Sequence, residues 1–297
     1  MFKGSIVALV TPFTPAGNLD LAALSNLIEW HIQEGTDAIV VCGSTGEAAT
    51  LSHEEQKAVI RAAVAAAEKR IPIIAGTGTN DTRETVHRTQ EAKNLGADAC
   101  LVIVPYYNRP SQEGCIAHFR EIDKAGFAMI PYHNPARTAV RLTPKTIAQI
   151  CSLSSVVAFK DSSPDIDAAI EIQGLISQPY LSGEDPVNIP LMATGAVGVI
   201  SPTANVFPKA MKQMVDLCAA GKFSEAMELY RRYYALTKTL YLETNPQCIK
   251  YAVHLLGKCH PTVRLPLLEP QESTQRLIRE AMLQAGVIES EKAFVSV

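Results

Sequence analysis

The chain has 297 residues, 47% of them hydrophobic and 19% charged, with a formal net charge of −3. That composition admits a large buried core, held in one big domain or in one domain with a small appendage. It excludes a basic nucleic-acid surface, a long acidic tail and, for want of a long enough apolar run, a membrane-spanning helix.

The first apolar stretch, residues 5–10, is shorter than a signal-peptide core and runs into Thr11-Pro12, so a cytoplasmic protein is expected. Seven further runs complete a set of predicted strands: residues 38–42, 72–75, 99–104, 128–132, 156–160, 180–182 and 197–201. Helical patterns lie between them. Leu21, Leu24, Leu27 and Ile28 line one face of the first. Ser52-x-x-Glu55 opens the second as a capping box, and Thr143-Pro144 puts a proline in the first turn of another. Strand–helix alternation repeated eight times predicts an α/β fold, a closed (β/α)₈ TIM barrel. A doubly wound sheet, the rival, would carry a Gly-rich phosphate loop after its first strand, where this chain reads Thr11-Pro12-Phe13.

After Pro208 the strands stop. Residues 209–219, 224–240, 246–256 and 270–285 all read as helices, the first closing the barrel. The expected division is a catalytic barrel over residues 1–221 and a helical C-terminal domain over 222–297, with 290–297 frayed. The seven cysteines form no C-x-x-C pair and read as reduced core or surface residues. The seven histidines show no H-E-x-x-H or similar spacing, so no metal site is expected.

In such a barrel, reacting groups gather where strands end and βα loops begin. The sixth run, Val156-Val157-Ala158-Phe159-Lys160, ends in a lysine, while the other lysines fall on polar helix faces or near chain ends. A lysine held against apolar walls loses hydration, its pKa falls, and the free amine can attack a carbonyl. The alternative is a lysine that snorkels to water. Ser44 and Thr45 sit between two glycines, in either an anion nest or an ordinary turn. Tyr132 ends the strand before Lys160, as a proton shuttle or a packed core phenol. Arg137 offers a planar fork to a carboxylate, or is merely solvated. Tyr106-Tyr107 suits packing or an interface.

Taken together, the motifs G-S-T-G-E, P-Y-Y-N-R-P-S-Q-E-G, Y-x-x-P-x-R-T, the strand lysine and L-S-G-E-D resemble the dihydrodipicolinate synthases. Those enzymes belong with the N-acetylneuraminate lyases and other pyruvate-dependent aldolases. The resemblance runs along nearly the whole chain. It implies pyruvate bound covalently to Lys160 as an imine, with no other cofactor. It implies proton transfer by Tyr132, Ser44 and Tyr107, the last lent by a neighbouring subunit. Thr45 and Arg137 would bind carboxylate, and Gly183 and Ile200 would present backbone near pyruvate. The implied reaction condenses pyruvate with L-aspartate 4-semialdehyde to 4-hydroxy-tetrahydrodipicolinate, in lysine and diaminopimelate biosynthesis. The implied assembly is a homo-oligomer, a dimer or a tetramer built as a dimer of dimers. An aldolase releasing pyruvate from a longer 2-keto acid is the second reading, and a non-catalytic metabolite-binding scaffold the third.

Four residues depart from the family pattern: Ser44 for threonine, His133 for asparagine, Asp161 for glutamate and Ala139 for glycine. The resemblance also implies an L-lysine effector cleft formed by Ala49, His53, Gln56, Asn80, Glu84 and Tyr106. There Glu84 would receive the ligand ammonium. Ala48 stands where serine is common and Gln56 where histidine is common, so weakened inhibition is expected.

Overall fold

A parallel strand buried on both faces must be apolar on both, and the eight runs meet that condition. The structure, a computed structural model, describes residues 2–289. The strands are β1 (Gly4–Ala8), β2 (Ala38–Val41), β3 (Ile73–Gly76), β4 (Ala99–Ile103), β5 (Met129–His133), β6 (Phe159–Asp161), β7 (Tyr180–Ser182) and β8 (Gly198–Ser201). They pair in parallel and in chain order, and β8 returns to β1, so the barrel is closed. Side chains alternate along each strand. Ile6 and Ala8 point into the barrel with Val40, Ile74, Leu101, Ile130 and Ile200, while Val7 packs outward under the helices. The seam brings backbone against backbone. Gly4 pairs with Gly198, and a Cβ on Gly198 would lie 2.3 Å from the Gly4 carbonyl oxygen.

The sixth strand differs from expectation. Val156 makes only an isolated bridge to Met129, and β6 starts at Phe159. Lys160 is therefore the middle residue of the strand, and Asp161 is its end. A carboxylate can finish a buried strand because neighbours satisfy it: the hydroxyls of Tyr180 and Ser163 each donate to Asp161 Oδ2 at 2.8 Å.

Helix signals fare well. The Ser52 hydroxyl accepts from Glu55 N–H at 3.2 Å, and the Glu55 carboxylate accepts from Ser52 N–H at 2.8 Å. Thr143 caps the helix Pro144–Cys151. In the helix Leu21–Gln33, Leu24, Leu27 and Ile28 are buried, whereas Leu21 stays exposed in the first turn. All seven cysteines are unpaired, six of them buried. After the helix Pro208–Ala219 come Phe223–Thr239, Gln247–Leu255 and Glu272–Ala285. Their buried Ala226, Leu236, Ile249 and Ile278 join the same cluster as the outward-facing barrel residues. Residues 290–297, expected to fray, lie outside the described residues.

One lysine contradicts the sequence reading. Lys250, in the helix Gln247–Leu255, is fully buried and donates to the Glu47 carboxylate and to the Thr262 carbonyl at 3.0 Å. Its Nζ also lies 4.1 Å from the centroid of the Phe13 ring. The Arg264 guanidinium lies 4.4 Å from the same centroid and grips Glu55 with bonds of 2.5 and 2.8 Å. Arg264 N–H donates to the other Glu47 oxygen at 2.9 Å. Burial pushes the Lys250 pKa down, and the Glu47 charge opposes that shift. This network joins the loop after β2 to the C-terminal helices. Lys250→Met should cost about 3–5 kcal/mol in urea unfolding, because it leaves a buried carboxylate without its cation. Adding Glu47→Gln should recover part of the loss. A double variant no more stable than the single one would count against the pairing.

Candidate active site

Register decides which side chains meet. Tyr132 is opposite Lys160 in the β5–β6 ladder, and His133 is opposite Asp161. Residues 132 and 160 share the interior face, and period-2 alternation puts 134 and 162 on that face as well. Lys160 is only 4% exposed. Its Nζ lies 4.0 Å from the Tyr132 ring centroid. Burial pushes the Lys160 pKa down, against the opposing pull of Tyr132 and Asp185. Asp185 is largely committed: it accepts from Asn188, Thr203 N–H and the Tyr241 hydroxyl, each at 2.9 Å. The amine is therefore held in a desolvated setting that favours its neutral form.

The Tyr132 phenol is held by residues that the sequence reading passed over. Asn134 Nδ2 donates to its oxygen at 2.7 Å, and Ser162 Oγ lies 3.4 Å away. Ser162 Oγ in turn donates to the Gly183 carbonyl at 2.8 Å. Burial alone would raise the phenol pKa, but the Lys160 charge and these hydrogen bonds leave it below its ordinary value. Ser44 borders the same cavity, yet among the described residues no hydrogen bond joins it to Tyr132.

The cavity above Lys160 encloses about 740 Å³, and its wall includes Ser44, Thr45, Tyr132, Arg137 and Gly183. Asn245 closes one side. Its Nδ2 donates to Thr45 Oγ1 at 3.0 Å, and its carbonyl accepts from Arg137 Nη2 at 2.8 Å. Gly183 is required by space: a Cβ there would lie 2.5 Å from Lys160 Cε and 2.2 Å from Ser162 Oγ. Ile200 packs its side chain in the barrel interior, beside Leu181 and Ile6. Tyr107 stands apart. It is 88% exposed, with φ of +71°, and does not line the cavity of its own chain.

The sequence matches the dihydrodipicolinate synthetase family over residues 1–285. The chain belongs to that family. It is 43% identical to a 4-hydroxy-tetrahydrodipicolinate synthase of Thermodesulfovibrio yellowstonii, over 97% of this chain and 100% of the relative. A dihydrodipicolinate synthase of Acinetobacter baumannii, crystallised with pyruvate, superposes with a TM-score of 0.95 at 41% identity, covering 97% of this chain and 100% of that one. One from Cyanidioschyzon merolae with lysine bound gives 0.94 at 34% identity, covering 97% and 99%. The chain is accordingly a lyase of the class I aldolase type.

Two departures from the family pattern form one contact. His133 Nδ1 lies 3.0 Å from Asp161 Oδ1, and Leu142 N–H donates to His133 Nε2 at 3.2 Å. An Nε2 that accepts leaves the ring proton on Nδ1, so His133 is a neutral donor to Asp161. The pair braces β5 to β6 directly behind Tyr132 and Lys160. Ala139 takes the left-handed cap of the helix Pro135–Thr138 at φ +55°, a conformation that glycine adopts without strain.

The expected effector residues fall in adjoining places. Ala49, Gln56 and Tyr106 line a second cavity of about 340 Å³ that shares Ser44, Tyr132 and Arg137 with the first. Asn80 is tied by its carbonyl to Asn108 at 2.8 Å. Glu84 already has partners. Arg88 Nε donates to it at 2.6 Å and holds its carboxyl below the usual range, while Arg88 Nη1 donates to Gln56 at 2.9 Å. His53 Nδ1 is 3.7 Å from the same carboxylate. Behind it, His53, His87 and Glu91 bring three potential ligand atoms within 4.8 Å of one another, a grouping across two helices that linear spacing does not reveal. Lys57 lies 3.8 Å from that Glu91.

Gly183→Ala tests the geometry. The displaced Lys160 should form its pyruvate adduct roughly 100-fold more slowly, as borohydride trapping would measure. An unchanged rate would show that the close approach does not matter.

Proposed function

We propose that the chain condenses pyruvate with L-aspartate 4-semialdehyde to 4-hydroxy-tetrahydrodipicolinate, in the lysine and diaminopimelate pathway. The observation that carries this reading is a desolvated Lys160 beside Tyr132, in a cavity that also holds Arg137. The Lys160 amine adds to the keto carbon of pyruvate, and loss of water gives an imine. Removal of a methyl proton gives an enamine, whose terminal carbon attacks the aldehyde. Tyr132 serves the proton transfers, and its lowered pKa suits them. Arg137 and Thr45 hold carboxylate. The substrate amine then closes the ring and releases Lys160.

Tyr107 acts in a neighbouring subunit, and its exposure on a loop fits that role. The assembly is a homo-oligomer, a dimer or a tetramer, working in the cytoplasm. Ser44 completes the relay when the partner's hydroxyl arrives. L-lysine binds in the smaller cavity, which Arg88 lines, and its ammonium competes with Arg88 for the adjoining Glu84.

Pyruvate with borohydride should add a reduced pyruvyl group at Lys160 and stop turnover with L-aspartate 4-semialdehyde. Labelling at a different lysine, or none, would sink the mechanism. Arg88→Leu should free Glu84 and tighten lysine inhibition about fivefold, the factor set by a partly exposed ion pair of about 1 kcal/mol. An inhibition constant that does not move would place the effector elsewhere.

A further inference from the structure

Two carboxylates border the Lys160 cavity, Glu184 and Glu243. Glu243 is occupied. One of its oxygens accepts from Gln271 N–H at 3.0 Å, the other from Gln247 Nε2 at 3.3 Å. Glu184 is held by its backbone: its N–H donates to Ser182 Oγ at 3.4 Å, and its carbonyl accepts from Val187 N–H at 3.0 Å. Among the described residues, no hydrogen bond or ion pair reaches its carboxylate. Glu184 follows Gly183, the residue whose missing side chain leaves room for Lys160.

A charge inventory gives that carboxylate a task. The second substrate brings a carboxylate and an α-ammonium. Arg137 suits the first, and the second needs an anion that is not already bound. The ammonium must also lose a proton before its nitrogen can attack.

We propose that Glu184 is a catalytic residue that receives the α-ammonium of the second substrate and accepts a proton from it, freeing the amine for ring closure. This rests on the condensation proposed above. The substrate nitrogen bonds to the imine carbon, and the bond from that carbon to Lys160 Nζ breaks. Of the three ammonium protons, one passes to Glu184 and two move to Nζ. Nζ already carries the iminium proton and so departs as an ammonium, leaving a neutral cyclic imine. No electrons are gained or lost overall.

The surroundings fit a base of this strength. Burial, then the charges of Asp185 and Asp161, push the Glu184 pKa up to about 7, against the pull of Lys238 and Lys160. Tyr230 and Tyr241 also face it, and burial keeps both phenols above their ordinary range. A general base near the working pH is the effective kind. The sign follows. The carboxylate form is present above about pH 7 and is lost as pH falls through that value, so wild-type kcat/KM should decline on the acid side.

The test compares wild type with Glu184→Gln in two assays. With L-aspartate 4-semialdehyde at pH 8, kcat/KM should fall on the order of 100-fold, and the acid limb near pH 7 should vanish. With succinic semialdehyde, which has no amine, the borohydride-reduced aldol adduct on Lys160 should form at the wild-type rate. That second result excludes misfolding. Unchanged turnover, or an acid limb that survives in Glu184→Gln, overturns the role of Glu184 and leaves the Schiff-base reading intact. Failure of wild type to form any Lys160 adduct overturns both.

Discussion

An ammonium group taken out of water must find a compensating charge or give up its proton. Among the described residues two lysines are buried, and they are resolved in opposite ways. Lys250 meets Glu47, a backbone carbonyl and the face of Phe13. It stays paired and holds the fold together. Lys160 meets the face of Tyr132, and among the described residues no carboxylate comes within hydrogen-bonding distance. The carboxylate that opposes the fall of its pKa, Asp185, is drawn off by Tyr241, Asn188 and Thr203. The same burial therefore yields a paired lysine at the Glu47 loop and, on β6, an amine whose pKa is pushed down. Much of the architecture around the cavity serves this difference.

The barrel was legible because its demands are local and repeated. Eight apolar runs, the capping box at Ser52 and the proline after Thr143 each state their own structure. Lys160 stood out because it ends such a run. Residues whose role lies in a distant partner left no comparable mark. Lys250 finds its carboxylate partner, Glu47, 203 positions away, so its spacing looks like any other lysine's. Asn245 reaches Thr45 across 200 positions, and Arg88 reaches Gln56 across 32. Asn134 and Ser162 were within reach of the sequence: alternation alone places them on the face of Tyr132 and Lys160. The end of β6 was misread because Asp161 looks like a loop residue until its partners on β5 and β7 are known.

The His133–Asp161 contact changes the meaning of two departures from the family pattern. Read singly, each weakens the match. Read as a pair, they brace two neighbouring strands, and the ladder that sets Tyr132 opposite Lys160 is kept. The Arg88 contacts act differently. Arg88 lines the smaller cavity, and its contacts leave Glu84 and Gln56 already satisfied.

The wall of the cavity is not the barrel's alone. Asn245 orders Arg137 and Thr45, and Lys250 and Arg264 hold the loop that carries Ser44, yet all three follow the last strand. Barrel and tail are thus not separable units of inheritance. A chimera joining this barrel to the tail of a relative would have to match the Glu47–Lys250 and Arg137–Asn245 contacts across the junction. A break point anywhere between Arg137 and Asn245 parts the two ends of both contacts.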